Sequence, residues 1–444
     1  MEIKQFYDEG LAHASYAILS EGQIAIVDPA RDPQPYYEFA QERGGEIKII
    51  IETHPHADFV SSHCEIHRTT GATIYTSEMV AADYPSKGFD GGDVLELGSV
   101  KLKAMNTPGH SPDSISVILE DETGKDHAIF TGDTLFVGDV GRPDLREKAG
   151  NMTAKREELA RQMYDTVRNK IMLLDDDLLV YPAHGAGSLC GKNLSEDRYS
   201  TIGREKKENP SLAPMSEAEF VSNLLEGQPF IPKYFGFAVE TNKNGAKSLQ
   251  ESLDAVPRLE PDAVLEGDLL VIDARPEAVF KQGHLPNAIN LQNGGKFETW
   301  LGSIVSPNEK FYLIAPDEET REELIYKAAK IGYEVNIAGA LTPPANLDVR
   351  SEAFDLDDFR KNPAAYTIVD VRNTGEYADG AFFPHSINVP LADLRERAGE
   401  IPTEKPVLVH CAAGYRSAAG SSILEGLLSD TKVYDLSEAV EDFK

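Results

Sequence analysis

Cysteine is scarce in this chain: Cys64, Cys190 and Cys411 are the only three. An odd number of widely separated cysteines excludes a disulfide framework and suits a reducing compartment. Basic residues are also few, with 43 Lys and Arg against 74 Asp and Glu and a net charge of −31. That deficit argues against nucleic acid, whose phosphates are bound by basic surface, and against docking on anionic membranes. No stretch approaches the ~20 apolar residues of a membrane span. The opening Met1-Glu2-Ile3-Lys4-Gln5-Phe6 has no basic region ahead of an apolar run, so no secretory signal is read there. The expectation is a soluble cytoplasmic protein with neither a nucleic-acid nor a membrane partner. What is present is globular: 41% hydrophobic and 26% charged residues. The 444 residues suggest about three domains.

The first half alternates strand and helix patterns. Ala14 to Asp28 reads as two strands around a turn at Glu21-Gly22, and Tyr36 to Arg43 as a helix stopped by Gly44-Gly45. Ile47 to Ile51, Val100 to Met105, Ser114 to Leu119, His127 to Phe130 and Asp176 to Val180 read as strands, and Thr153 to Asn169 as a helix. Proline interrupts the pattern at 210, 214, 229 and 232, and the polar stretch after Val239 reads as a connector with a short helix.

Two similar units follow. Leu270-Val271-Ile272-Asp273-Ala274-Arg275 and its downstream Gly283-His284-Leu285-Pro286-Asn287-Ala288-Ile289-Asn290 are echoed by Thr367-Ile368-Val369-Asp370-Val371-Arg372 and Pro384-His385-Ser386-Ile387-Asn388. The plan is residues 1–235, then a connector and first repeat over 236–346, then a second repeat over 347–444.

Four strand-end segments of the first region carry histidines and acids: His54-Pro55-His56-Ala57-Asp58, Gly109-His110, Gly132-Asp133 and Ala183-His184-Gly185. Strand-end loops place side chains on one rim of a sheet, and imidazole with carboxylate suits zinc or iron. His13, His63, His67 and His127 have no such context and read as core or surface histidines, and Cys64 as a packing residue.

In the second repeat, His410-Cys411-Ala412-Ala413-Gly414-Tyr415-Arg416 lies between a strand, Val407 to Val409, and an apolar helical run. Backbone N–H groups at such a turn stabilise an anionic sulfur, and Arg416 adds positive charge, which suits a nucleophile that stores a persulfide. The Cys-x4-Arg spacing is one residue shorter than a phosphatase loop. The first repeat has Ala315-Pro316-Asp317-Glu318-Glu319-Thr320 at this place, without cysteine, and reads as an inactive spacer or interface.

The histidine motifs resemble the metallo-β-lactamase fold, and the Cys411 loop with Asp370-Val371-Arg372 resembles the rhodanese sulfurtransferases. The resemblance implies an α/β multidomain chain: an αββα sandwich followed by two rhodanese-like α/β domains. In the family's two-metal hydrolases a histidine follows His-x-His-x-Asp, where this chain has Phe59. The remaining set is similar to the persulfide dioxygenases and to their bacterial fusions with sulfurtransferases. That implies one ferrous iron on His54, His110 and Asp133, with His56, Asp58 and His184 as supporting or vestigial groups. It also implies a substrate-contacting Arg142, the alternative being an ion pair, and a site thiol at Cys190, the alternative being a small buried hydrophobe.

The implied activity is oxidation of a glutathione, coenzyme A or similar persulfide by dioxygen to sulfite. Cys411, with Arg416, would then pass sulfur to sulfite and give thiosulfate, and the assembly is expected to be a homo-oligomer. The alternatives are a zinc thioester hydrolase of the glyoxalase II type bearing a rhodanese, and a non-enzymatic sulfur carrier.

Overall fold

The computed structural model describes residues 1–145, 156–347 and 349–444. It divides into two compact units, Met1–Glu251 with Lys330–Gly332, and Ser252–Ala329 with Tyr333–Lys444.

The first unit contains two six-stranded sheets. One runs in the order β1 (Glu2–Asp8), β2 (His13–Ser20), β3 (Gln23–Val27), β4 (Glu46–Ile51), β5 (Thr73–Thr76), β6 (Lys87–Gly88). The other holds β7 (Val94–Leu97), β8 (Val100–Asn106), β9 (Ile115–Glu120), β10 (Asp126–Gly132), β11 (Leu179–Pro182) and β12 (Ser200–Thr201), again in chain order across the sheet. Strand periodicity explains why both faces are covered. Ala25, Val27, Ile49 and Ile51 point inward against Leu102, Val117 and Phe130 of the other sheet. Ile24, Ile26 and Ile50 point outward against Tyr36 and Phe39 of the helix Gln34–Arg43 and Ile66 of the helix His63–Thr70. The second sheet turns Ile118, Ile129 and Val180 outward onto Met163 and Val167 of the helix Arg156–Asn169 and Phe220 of the helix Glu217–Leu225. The result is an αββα sandwich. Each isoleucine buried in it contributes roughly 1.5–3 kcal/mol relative to exposure.

Three local differences from the sequence reading have physical reasons. The start of the expected helix from Thr153, residues 153–155, lies outside the described residues. The strand expected from Asp176 begins at Leu179 instead. Leu178 N–H closes a turn onto the Asp175 carbonyl, and the Asp176 carboxylate is taken by Lys206 at 2.7 Å. The stretch read as a connector holds the helix Phe235–Asn244, which buries Phe235, Ala238 and Val239 and packs within the first unit.

The second unit contains two four-stranded parallel sheets of identical order. The first is β14 (Ala288–Asn290), β13 (Leu270–Asp273), β15 (Phe311–Ile314), β16 (Ile337–Leu341), and the second is β18 (Ile387–Asn388), β17 (Thr367–Asp370), β19 (Val407–His410), β20 (Val433–Asp435). The repeated Asp-x-Arg element is a buried staple in both. Arg275 grips Asp273 at 2.6–3.0 Å and donates to the Gly283 carbonyl, and Arg372 does the same to Asp370 and Gly380. Asn290 and Asn388 then each bond two backbone carbonyls of that turn. The repeat signature is thus structural, holding the first strand's end to the following loop. Among the described residues no helix is long and apolar enough to cross a membrane.

Candidate metal centre and sulfur-transfer loop

The metal centre is built at strand ends. After β4, Thr53 donates its N–H to Asp28 Oδ1 at 2.7 Å and its hydroxyl to Asp28 Oδ2 at 2.9 Å, which fixes the backbone ahead of His54. Asp28 itself sits at φ +50, a left-handed conformation that these bonds stabilise. Asp133 follows β10 through Gly132, at φ +51, where a Cβ would lie 2.4 Å from the Thr53 hydroxyl oxygen; only glycine lets the two loops approach. His110 places Nδ1 2.9 Å from the Arg142 carbonyl, so that nitrogen donates and Nε2 is left as the donor atom toward a cation.

His54, His110 and Asp133 converge. Asp133 Oδ2 lies 3.8 Å from His54 Nε2 and 3.5 Å from His110 Nε2, and all three side chains are buried. These separations exceed hydrogen-bond length and suit ligands facing one ion. Asp133 Oδ2 is buried with no hydrogen-bond partner, as expected of an oxygen meant for a metal. The other oxygen, Oδ1, meets His184 Nδ1 at 2.7 Å, and His184 Nε2 meets Asp58 Oδ2 at 2.7 Å. Burial alone disfavours a charged His184, but the carboxylates of Asp133 and Asp58 override it and hold the imidazole well above its ordinary range. Burial likewise opposes the Asp133 carboxylate, yet His184, His110 and His54 keep it well below the usual range. His184 therefore braces Asp133 against Asp58.

The remaining residues divide clearly. His56 faces Asp28 at 3.3 Å. Cys190 comes close to Asp58 and His184, and burial together with Asp58 and Asp133 pushes its thiol well above the ordinary range, so it is held protonated. Of the two readings left open for Arg142, the ion pair is the one seen. The Arg142 guanidinium is buried and paired with both oxygens of Asp144 at 2.7 Å, with Nη1 donating to the Leu189 carbonyl at 3.1 Å. Its backbone N–H also holds the Cys190 carbonyl at 3.0 Å. The residue locks the Cys190 loop and orients His110, and the ion pair is with Asp144.

Three residues escaped the sequence reading. His13 is not a bystander: its ring packs against Phe59, tilted by 33° with centroids 3.8 Å apart, and lies 5.6 Å from His184. Burial, His184 and His56 push its pKa well below the usual value, so it is neutral. Asn242, from the supposed connector, donates to the carbonyls of His56 and Phe59 at 2.9 and 2.8 Å and accepts the Ser61 N–H. His63 pairs with Glu52 at 3.2 Å beneath the loop. Nothing in their local sequence marked them, because each is recruited by tertiary contact.

His63 supplies a pH test. Burial pulls its pKa down, but Glu52 and the neighbouring Cys64 raise it from an ordinary 6.5 to about 9. A raised folded pKa gives stability that is full below the unfolded value near 6.5 and is lost as pH rises through 9. Its upper size is about 3 kcal/mol. Thermal melting of the first unit is expected to fall between pH 6.5 and 9.5 in the wild type, and to fall less in His63→Gln. Equal slopes in the two proteins refute the assignment.

In the second unit, Cys411 lies in the turn between β19 and the helix Tyr415–Leu427. The Gly414 N–H donates to its sulfur at 3.2 Å, and the sulfur is buried. Arg416 is not an open cation: it is paired with both oxygens of Glu376 at 2.6 and 2.7 Å, and its guanidinium lies 5.8 Å from the Trp300 ring centroid. It braces the cradle. In the first repeat the equivalent turn has Asp317 accepting the Thr320 N–H at 2.8 Å, so its own carboxylate occupies the helix start.

Comparison with known proteins agrees with this geometry. Residues 8–184 match the metallo-beta-lactamase superfamily, and residues 261–340 and 355–444 match the rhodanese-like domain. A crystal structure of a metallo-beta-lactamase from Staphylococcus aureus COL is 33% identical, with a TM-score of 0.70, covering 77% of this chain and 99% of that one. The chain belongs to the metallo-β-lactamase superfamily. It carries two rhodanese-like domains behind the metallo-β-lactamase domain. Human mitochondrial persulfide dioxygenase ETHE1 is 25% identical over 50% of this chain and 78% of its own length. Haemophilus influenzae hydroxyacylglutathione hydrolase GloC is 26% identical over 43% of this chain and 88% of its own length. A persulfide dioxygenase and a hydroxyacylglutathione hydrolase are thus both among the relatives.

Proposed function

We propose that this chain is an iron-dependent persulfide dioxygenase fused to a thiosulfate-forming sulfurtransferase. The observation that carries the reading is Phe59. It stands where a two-metal hydrolase needs a histidine, and its buried ring packs on His13 and on His56 at 4.5 Å. A mononuclear His54–His110–Asp133 set with one carboxylate is the ligand pattern of ferrous oxygenases. Similarity to the human persulfide dioxygenase supports the same reading.

His54, His110 and Asp133 would hold the iron. Iron bound there would supply open positions for a sulfur anion and dioxygen. The chain's own residues do the rest. Thr53 and Asp28 fix the His54 backbone, the Arg142 carbonyl fixes the His110 tautomer, and His184 with Asp58 holds Asp133 in place. Phe59 and His13 close the neighbouring space to water. In the overall reaction a persulfide, dioxygen and water give a thiol, sulfite and two protons. The Cys411 thiolate attacks the outer sulfur of a second persulfide molecule, whose S–S bond breaks to release its thiol, and Cys411 then carries that sulfur as a persulfide. Sulfite attacks that sulfur, the bond to Cys411 Sγ breaks, the electron pair returns to the Cys411 thiolate, and thiosulfate leaves.

The test is metal analysis and oxygen uptake on anaerobically purified protein. One iron per chain with oxygen consumption on glutathione or coenzyme A persulfide is expected. Two zinc ions per chain with thioester turnover would establish the glyoxalase II type of chemistry instead.

A further inference from the structure

The cysteine-less repeat is not remote from Cys411. Both repeats lie in one compact unit, and the helix Glu277–Gln282 of the first repeat reaches the loop that backs the Cys411 turn of the second. Lys281 Nζ donates to Asp435 Oδ2 at 3.0 Å and also contacts Glu277. Asp435, at the end of β20, accepts the Ser437 N–H on its other oxygen at 2.9 Å. The Ser437 hydroxyl crosses back and donates to Glu277 Oε2 at 3.0 Å. The four residues form a closed ring across the two repeats, one link being the Ser437 backbone N–H.

The ring holds a strained segment. Ser437 is at φ +52, a left-handed conformation that costs a non-glycine residue free energy and persists only when its surroundings determine it. That segment is the floor of the cysteine cradle. A Cβ on Gly414 would lie 3.3 Å from the Ser437 carbonyl carbon and 3.2 Å from Glu438 N, and Gly414, at φ +100, supplies the N–H that meets Cys411 Sγ. The opposite flank is tied by the same repeat. The Tyr415 hydroxyl donates to the Gln292 carbonyl at 2.9 Å, and the Gln292 side chain accepts the Glu277 N–H at 3.0 Å. The turn bearing the nucleophile is therefore anchored on two sides by residues of the repeat that lacks one.

We propose that Glu277 and Lys281 of the first repeat are positioning residues for Cys411, setting the Gly414 N–H against its sulfur through Asp435 and Ser437. This rests on the reading of Cys411 as a sulfur-transfer nucleophile, and of the spacer and interface roles left open for the first repeat it takes the interface. Asp435 is buried, and burial pushes its carboxyl up to about 6 against the pull of the Lys281 ammonium. Without Lys281 the carboxylate is uncompensated, and a buried unpaired charge is relieved by protonation or rearrangement. Either change loosens the acceptor of the Ser437 N–H and with it the floor beneath Gly414. A donor displaced by an ångström loses most of its effect on a developing sulfur anion.

The experiment uses the full-length chain with Lys281→Met, Lys281→Arg and Glu277→Gln. Two quantities are read: thiosulfate formation, and the rate at which methyl methanethiosulfonate modifies Cys411, followed by mass spectrometry of its peptide. Lys281→Met is expected to slow both about tenfold and Glu277→Gln to slow both severalfold. Oxygen uptake and the melting of the first unit stay at wild-type values. Lys281→Arg, which keeps the charge, is expected to return both rates to within about twofold of wild type. Wild-type rates in Lys281→Met, or a loss that Lys281→Arg does not restore, overturns the proposal. A wild-type chain that forms no thiosulfate, while the modification rates still follow this order, defeats the sulfurtransferase reading and leaves the positioning role intact.

Discussion

Asp133→Asn is expected to abolish oxygen uptake, lowering it on the order of 100-fold or more, and to reduce bound iron to a small fraction of one per chain. Three effects act together. The substitution replaces a charged oxygen ligand by a neutral amide, where loss of even a supporting partner typically costs 10–100-fold. It also removes one of the two carboxylates that flank His184. Finally, it leaves His54 and His110 without the anion that both face. Sulfur transfer from thiosulfate to cyanide, measured on the same protein, should be unchanged, because Cys411 belongs to a separate compact unit. Atomic absorption and an oxygen electrode check the first part, and a thiocyanate assay the second. Wild-type iron content with wild-type oxygen uptake would remove Asp133 from the ligand set. Loss of both activities together would instead indicate misfolding, which His54→Ala then tests independently.

Cys411→Ser is expected to do the converse. Oxygen uptake on glutathione persulfide continues at the wild-type rate, while thiosulfate formation falls on the order of 1,000-fold or more, as removing a catalytic nucleophile commonly does. Sulfite then accumulates in its place. A serine hydroxyl is close in size to the thiol but forms no persulfide, so the cradle is kept and the chemistry is lost. Ion chromatography of sulfite and thiosulfate during oxygen consumption separates the two steps. Undiminished thiosulfate from the variant would mean that sulfur transfer occurs elsewhere in the chain, and the role given to the last domain would fail.

Much of this was legible in the sequence because the chemistry sits at strand ends with short, dense motifs. His54, His110 and Asp133 are each marked by a strand running into a loop with glycine or a second histidine beside it, and the structure brings them together. A layered α/β domain followed in the same way from apolar runs such as Ile49-Ile50-Ile51, which bury both faces, while the αββα arrangement came from the family resemblance. Long-range partners were not legible. For Arg142 the sequence left a substrate contact and an ion pair both open; the partners are Asp144 two residues on and a carbonyl 47 residues away. His13 gave no signal, since its role depends on a ring 46 positions later. The helix Phe235–Asn244 was only partly legible: the polar stretch after Val239 read as a connector with a short helix, while Asn242 spends its amide on three backbone groups of the histidine loop. Hydrophobic periodicity predicts elements well; it is silent about which polar side chains a fold will turn inward.

The buried, unpartnered Asp133 Oδ2 has a consequence for the life of the protein in a cell. An acceptor held away from water without a donor costs about 1–3 kcal/mol, and a cation that binds only the folded chain returns about 2.7 kcal/mol when present at a hundred times its dissociation constant. Folded and degraded populations respond to differences of that size severalfold. Scarcity of a cation that binds there would therefore do more than empty the site: it would lower the stability of the folded chain and shorten its residence before proteolysis.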